Sequence, residues 1–369
     1  MDPPGLYVHI PFCKTKCPYC DFYSITKLSL LDAWLEALSK EAAMYRHAFG
    51  VFDSLYLGGG TPSILDNRQM EKLIKTIRQY FTITQDAEVT IEINPDDITA
   101  EKLQCWRACG INRISVGVQS FNNDELVFLK RRHSATDAKR SIELVVSAGF
   151  ENFGIDLMFG LPGQTEEILM RNLQNALIFE PKHLSCYQLT LEERTPYGRL
   201  KAEGRLVPPG ENKEKRFFVL TSDYLKSKGF IHYEISNFAK TVQYESRHNK
   251  KYWQHTQYLG LGPAAHSFKD NRRWWNHRSV ERYCKEIAKE KKPVDGFETL
   301  SDEQLRLERL FLGFRTKYGV AVDDVKDSPS FEQTLSRLKR KRILKVYGNR
   351  IIPTIKGFLI ADKLPQMFF

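Results

Sequence analysis

No uninterrupted apolar stretch in this chain reaches the roughly 20 residues a membrane-spanning helix needs, so a helical-bundle channel or transporter is excluded. Low-complexity tracts and long like-charged tails are missing too, which excludes a largely disordered protein. No secretory leader is visible: a strand-like run, Leu6-Tyr7-Val8-His9-Ile10, is reached within a few residues, and a reducing, cytoplasmic setting is expected. Cysteine is scarce and odd in number, seven in 369 residues, and three of them crowd into positions 13 to 20. Such a set is no disulfide framework and reads as metal or cluster ligation.

What is present is an ordinary globular composition, 42% hydrophobic and 27% charged, at a length that favours one large domain plus a smaller one. The net charge of +10 points to an anionic partner: a carboxylate-bearing ligand, a membrane surface or nucleic acid. The charge is spread along the chain, so a merely basic enzyme fits equally well. The densest run, Lys339-Arg340-Lys341-Arg342, reads as a solvated helix end. Peripheral membrane contact is permitted by the charge, although no amphipathic anchor stands out.

Strand patterns at 5–10, 53–58, 88–93, 112–118, 152–159 and 183–190 alternate with helical patterns near 29–49, 67–80, 99–108, 123–149 (broken), 165–179 and 211–228. Asp97-Ile98-Thr99-Ala100 and Thr165-Glu166-Glu167 look like helix starts. Repeated βα units predict parallel strands with crossover helices, and six units fall short of the usual eight, so an α/β fold with an open, partial (β/α)6 TIM-like barrel is expected over residues 1–235. Residues 236–369 read as a second, smaller part: an aromatic-rich segment, helices near 301–315 and 330–341, and a strand pair, 343–346 and 350–353, split by Gly348-Asn349. That end is helical and winged-helix-like. No aromatic–basic patch accompanies it, so no nucleic-acid partner is expected.

The strongest chemical signal is Cys13-Lys14-Thr15-Lys16-Cys17-Pro18-Tyr19-Cys20, directly after the first strand. Iron–sulfur clusters take thiolate ligands, usually four per cubane. Three thiols on one loop hold three irons and leave the fourth open to a non-protein ligand. The bland alternative is three inert buried thiols, which the crowding argues against. Zinc would call for a fourth Cys or His at short spacing; His9 is near but lies in the strand. Gly58-Gly59-Gly60-Thr61-Pro62 follows the second strand, where missing side chains make room for a ligand. Active sites of (β/α) barrels form at the C-terminal strand ends. Glu92 sits near the end of strand three, Gln119 ends strand four, and Asp156 interrupts the apolar run of strand five. A carboxylate there is costly unless paired or hydrogen-bonded, and usually points into a polar mouth. Taken singly, each could belong to a structural network.

The CxxxCxxC loop followed by the GGGTP turn resembles the radical S-adenosylmethionine (SAM) superfamily. The resemblance implies that Cys13, Cys17 and Cys20 hold one [4Fe–4S] cluster, that SAM chelates its open iron, and that one electron cleaves the S–C5′ bond to release a 5′-deoxyadenosyl radical. An electron donor is then an implied partner. Residues 6–23, LYVHIPFCKTKCPYCDFY, with GVQSFNNDELVFLKR at 117–131 and IDLMFGLPGQT at 155–165, are more specific. They resemble the oxygen-independent coproporphyrinogen III oxidase-like group over almost the full length. By that resemblance Tyr7, Tyr19, Gly59, Gly60, Thr61, Glu92, Gln119, Arg131 and Asp156 bind the cofactor. Arg131 has the planar donors that suit a carboxylate or ribose oxygens; without the family it reads as a surface residue of Lys130-Arg131-Arg132.

Oxidases of that group carry a fourth cysteine two residues after the third, and an N-terminal arm. Here the position is Phe22 and no arm precedes the first strand. Both features match the HemW heme chaperone family, as does Arg247-His248-Asn249-Lys250-Lys251-Tyr252-Trp253, which fits that family's HNxxYW motif, associated with heme binding. Histidine is a common axial ligand and aromatic rings cover a porphyrin face; Arg247, Lys250 and Lys251 are placed to meet propionates. The competing account is a packed Tyr-Trp pair with a hydrogen-bonded histidine. The ligating side chain stays open among His248, His255, His266 and His277. The implied activity is a radical SAM protein that binds heme and passes it to an unidentified acceptor protein. Competing readings are the oxidase, another radical SAM enzyme, or a nucleic-acid-binding protein working through its basic end. The segment 258–267 is expected to turn back over the barrel mouth. Cys105, Cys109, Cys186 and Cys284 are expected to be buried thiols, and Trp274 and Trp275 to pack the second part.

Serine at Cys13, Cys17 and Cys20 together is expected to abolish iron content and the SAM-dependent spectral change, measured after anaerobic reconstitution. A full iron complement in the triple variant would refute ligation by this loop.

Overall fold

Six strands lie side by side in chain order: β1 (Gly5–Ile10), β2 (Phe52–Gly59), β3 (Ile83–Ile93), β4 (Arg113–Gln119), β5 (Phe153–Phe159) and β6 (His183–Gln188). The structure is a computed structural model and describes residues 2–368. Each neighbouring pair is parallel, which demands a crossover. Helices Leu31–Tyr45, Asn67–Tyr80, Ala100–Ala108, Ala135–Ser147 and Glu166–Leu177 supply it. Thr99 and Thr165 cap their helices as the sequence predicts, each Oγ1 accepting a backbone N–H, from Lys102 and Ile168 respectively, at 3.3 Å. The expected break in the fourth helical stretch falls between Asn123–Phe128 and Ala135–Ser147. The strands' alternating helix-facing side chains, Leu6, Val8, Leu55, Leu57, Ile91, Val116 and Ile155 among them, form the main core with the helices. This is the partial (β/α)6 arrangement expected. Helix Pro196–Ala202 has no counterpart in the sequence reading.

Beyond residue 236 the βα alternation ends, but the sheet does not. β7 (Ile231–Glu234) and β8 (Asn237–Ala239) continue it beyond β6, with β8 antiparallel to β6. On the other side β9 (Tyr258–Leu261) pairs parallel with β1, followed outward by β10 (His266–Lys269), β11 (Arg272–Asn276) and β12 (Val294–Thr299). Twelve strands result, in the order β12-β11-β10-β9-β1-β2-β3-β4-β5-β6-β8-β7. Residue 235 thus falls between two paired strands. Strands of three to five residues are too short to print a two-residue period, so the sequence shows only aromatic content there. Trp274 corrects one expectation. Both tryptophans belong to the large sheet, but Trp274 stacks on Tyr45 of the first helix, with ring centroids 6.2 Å apart, whereas Trp275 packs within the second part as expected, stacking on His266 at 5.9 Å. Neighbouring strand residues face opposite ways, so the pair serves two surfaces.

The chain's last part has its own core, built from Leu310, Phe314, Phe331, Leu338, Leu344 and Ile351. Helices Asp302–Gly313 and Phe331–Arg340 flank a small sheet, β13 (Val320–Ala321), β15 (Arg350–Pro353) and β14 (Leu344–Tyr347). The hairpin turns at Gly348-Asn349, with Gly348 at φ +53°, the left-handed conformation a tight turn favours. This is the winged-helix-like end expected. Of the four remaining cysteines, Cys109 and Cys186 are buried, whereas Cys105 and Cys284 are partly exposed, because each lies at the edge of a helix face. Among the described residues no helix is long and apolar enough to cross a membrane.

One buried carboxylate ties the first helix to the added strands. Glu41 accepts from Gly262 N (2.8 Å), Asn276 Nδ2 (2.6 Å) and Tyr283 OH (2.6 Å), and burial pushes its pKa up to about 7. Glu41→Ala strands three buried donors and is expected to lower unfolding stability by about 1–3 kcal/mol, measured by urea denaturation. An unchanged urea midpoint would show that the joint does not depend on this residue.

Candidate functional site

Parallel strands of one sheet end on the same edge, and there a cavity of about 450 Å³ opens, a size suited to a small-molecule ligand. Tyr7, Cys13, Cys17, Tyr19, Cys20, Gly59, Gly60, Thr61, Glu92, Gln119, Arg131 and Asp156 all line it; His248 does not. The cysteine loop is closed at its neck by Cys13 N donating to Ile25 O (3.0 Å) and Ile25 N to Pro11 O (2.8 Å). Lys14 reaches out of the loop to Asp97, just after β3, at 2.7 Å. Burial opposes ionisation of Asp97, but Lys14 and Arg132 hold its carboxyl below the usual range.

The glycine turn packs directly on this loop. Gly60 N donates to Ile10 O and Thr61 N to Phe12 O, both at 2.8 Å, and Thr61 Oγ1 donates to Cys13 Sγ at 3.3 Å. Gly59 has φ +108°, and a Cβ there would lie 2.6 Å from His9 Nδ1; a Cβ at Gly60 would lie 2.6 Å from the Phe12 carbonyl oxygen. The missing side chains therefore serve the approach of the cysteine loop as well as a ligand.

The far wall is polar and buried. Tyr56 OH donates to Glu92 Oε1 at 2.8 Å and Gly59 N to Oε2 at 3.3 Å. Burial still dominates, and with Asp156 nearby it raises Glu92 to about 7. Asp156 is likewise raised by burial, against hydrogen bonds from Ser185 and from Ser115, whose Oγ lies 3.0 Å from both carboxylate oxygens. Arg131 is not a surface residue: Nη2 donates to Gly117 O (2.8 Å) and Nη1 to Cys17 Sγ (3.6 Å), while buried Nε has no hydrogen-bond partner among the described residues. Gln119 adopts φ +69°, rare for a residue with a Cβ, at a register irregularity of β4. Strain of this kind gathers where a side chain must be aimed. Burial also pushes the Cys20 thiol up to about 11, so it would give up a proton on binding a metal. Among the described residues no three His, Cys, Asp or Glu side chains converge on a single-ion point. Three thiols on one cavity wall, with an unpartnered buried guanidinium N–H beside them, fit a multi-iron thiolate-held cluster and an anionic ligand group.

A second chamber, about 600 Å³, adjoins the first and shares Tyr7, Asp21, Phe22, Glu92, Tyr187 and Glu192 with it. His248 lines it, on the helix Arg247–Trp253. Glu88 caps that helix, accepting from Arg247 N and His248 N, each at 3.0 Å. The imidazole is buried, stacked 5.1 Å from Tyr56, with Ser54 Oγ 3.1 Å from Nδ1 and Tyr252 OH 2.9 Å from Nε2. Burial pushes its pKa down to about 3, so the ring is neutral. The basic flank does not enter the chamber: Arg247 meets Asp86 (3.4 Å), Lys250 meets Glu245 (3.1 Å) and Lys251 meets Asp53 (2.7 Å). The segment 258–267 lies beside β1 as a strand and its turn, and brings Tyr258, Ala264 and His266 to the second chamber, none of it to the first.

Residues 7–174 match the Radical SAM superfamily. The chain is 38% identical to a Bacillus subtilis protein named heme chaperone HemW, over 97% of each chain. It is 34% identical to the HemW of Lactococcus lactis, over 99% of this chain and 97% of the relative. The chain belongs to the HemW family of radical SAM proteins. Its radical SAM membership implies a [4Fe–4S] cluster and SAM. The HemW fold here also superposes on the Escherichia coli coproporphyrinogen III oxidase HemN, a radical SAM enzyme, with TM-score 0.84 over 99% of this chain and 90% of that one; at 23% identity this speaks for the fold alone. Sequence reading of this HemW-family chain missed Tyr56, Ser115, Tyr187 and Glu192. Tyr56 and Tyr187 lie in the C-terminal halves of their strands, a signal that was available; Ser115 is only the third residue of its strand and Glu192 sits in a loop, so neither carried it.

Glu92 is held protonated below about pH 7 and ionises above it. SAM carries a positive sulfonium, so its affinity for the reconstituted protein is expected to rise as pH passes through that value, measured by calorimetry. In Glu92→Gln this pH dependence should flatten; an equally steep profile would assign it to another group.

Proposed function

We propose that this chain is a heme chaperone on a radical SAM scaffold, working in the cytoplasm with an electron donor for its cluster and an acceptor protein for its heme. In this reading Cys13, Cys17 and Cys20 hold the [4Fe–4S] cluster, and Tyr7, Tyr19, Gly59, Gly60, Thr61, Glu92, Gln119, Arg131 and Asp156 surround SAM. When bound and reduced, the cluster supplies one electron able to cleave SAM. The chain's own residues orient the ligands: Thr61 fixes the Cys13 thiol, Arg131 sets a fixed cation beside Cys17, and Tyr56 aims Glu92. In this reading residues 1–235 hold the cluster and SAM, while the heme chamber is lined from both parts expected from sequence, by Tyr7, His9 and Tyr56 as well as His248, Tyr252 and His266, and the second part's first strands are built into the same sheet.

The observation that carries the reading is the second chamber. Its walls are flat and aromatic, from Tyr7, Phe22, Tyr23, Tyr56, Tyr252 and Tyr258, and three histidines, His9, His248 and His266, line it. Aromatic faces suit a planar macrocycle and imidazoles suit its iron. The relatives named heme chaperone support the same conclusion. The oxidase alternative is weakened by Phe22, exposed on the wall common to both cavities, where that group carries a further thiol.

Purified, reconstituted protein is expected to bind heme with a Soret shift, and to leave coproporphyrinogen III unconverted with SAM under anaerobic reducing conditions. Formation of protoporphyrinogen would replace the chaperone reading with the oxidase.

A further inference from the structure

The three histidines of the second chamber are not equivalent. His9 is engaged at both nitrogens, with Tyr7 OH 3.1 Å from Nδ1 and the Tyr23 carbonyl 2.8 Å from Nε2. His248 is engaged at both as well, by Ser54 and Tyr252, and lies beneath Tyr56. Both rings are buried. His266 differs. It opens β10, is exposed, and stacks its ring on Trp275. Neither of its ring nitrogens has a hydrogen-bond partner among the described residues. His255 and His277, the other two near in sequence, lie outside the chamber and contact Glu308 (2.9 Å) and Asp295 (2.6 Å). A histidine binds iron through a ring lone pair, so a doubly hydrogen-bonded imidazole must first release a partner, whereas His266 need not.

The chamber is also asymmetric. Glu92, Glu192 and Asp21 lie on the wall shared with the first cavity, whereas Ala264, His266 and Arg278 line the second chamber alone. Carboxylates of a ligand would be repelled from the shared wall and drawn to Arg278. That guanidinium is about half exposed; Nη2 donates to the Asp21 carbonyl at 2.5 Å, and the Asp21 carboxylate lies 3.8 Å away, so its charge is only loosely paired. Its planar donors match a carboxylate.

We infer that His266 is the axial ligand of heme iron in this chamber, that Arg278 receives a propionate, and that His248 is a wall residue that positions Tyr252. The inference rests on the heme-chaperone reading above, and it assigns the iron to a residue outside the HNxxYW segment.

The test is a titration of the full-length, cluster-loaded protein with ferric heme, followed by Soret absorption and low-temperature electron paramagnetic resonance. His266→Ala is expected to lose the histidine-ligated signature and to bind heme about tenfold or more weakly, with added imidazole restoring the signature. His248→Gln, which keeps hydrogen-bonding atoms in the buried site, is expected to retain it. Arg278→Ala should weaken binding without changing the signature. The SAM-dependent change of the cluster spectrum should be unaltered in His266→Ala, which shows that the protein is intact. If His266→Ala keeps the histidine-ligated spectrum, the assignment is overturned while heme binding stands. If the unaltered protein binds no heme, the functional reading itself falls and this inference with it.

Discussion

The rest of the site depends on how closely the turn after β2 packs against the loop after β1. Gly60 and Thr61 donate their backbone N–H groups to the carbonyls of Ile10 and Phe12, and no Cβ fits at Gly59 or Gly60. Two loops that would otherwise be separate surface excursions are thereby fused into one wall. Thr61 then reaches the thiol of Cys13, and Lys14 ties the other side of the loop to Asp97 beyond β3. Preorganisation of this kind matters because a cluster gripped by a floppy loop would have to order it on binding. The strands supply rigid anchors, and the loops contribute only the few residues that differ.

Around that wall the sheet concentrates buried charge. Register places Tyr7 beside Tyr56, Glu92 beside Ser115 and Asp156 beside Ser185, one strand after another. Each carboxylate receives hydroxyl hydrogen bonds and is still pushed upward by burial. Such groups are expensive in the absence of a ligand and become useful when a cation or a polar ligand arrives. Glu88 plays a different part: it caps the helix bearing His248 and lies 3.8 Å from buried Arg113. The HNxxYW segment is thus bolted into the base of the sheet, and its basic residues are spent on neighbouring carboxylates.

Two adjoining chambers result, with Phe22 and Tyr7 on the shared wall. The same strand, β1, delivers the cysteine loop at its end and contributes Tyr7 and His9 to the second chamber along its length. β9 lies against it and brings the turn that carries His266. A protein that binds SAM in one chamber and a tetrapyrrole in the other would need no moving domain for the two to be neighbours.

Much of this was legible in the chain itself. The six βα units, the capping threonines, the cysteine loop, the glycine turn and the polar residues at strand ends all follow from local patterns: a period of two or 3.6, a cap, a spacing between thiols. The comparable precision failed after residue 236, where strands of four residues carry no period and Trp274 was assigned to the wrong core. For His248 and its basic neighbours the sequence left the partners open. A motif states which residues are present, but which hydrogen bonds a histidine makes depends on Ser54 and Tyr252, one of them 194 positions away. Sequence alone determined the elements and the chemistry of the loops, because those rest on near neighbours. Only the tertiary structure decided which imidazole has a free lone pair and which cation faces a cavity, because burial and partners are set by contacts between distant segments.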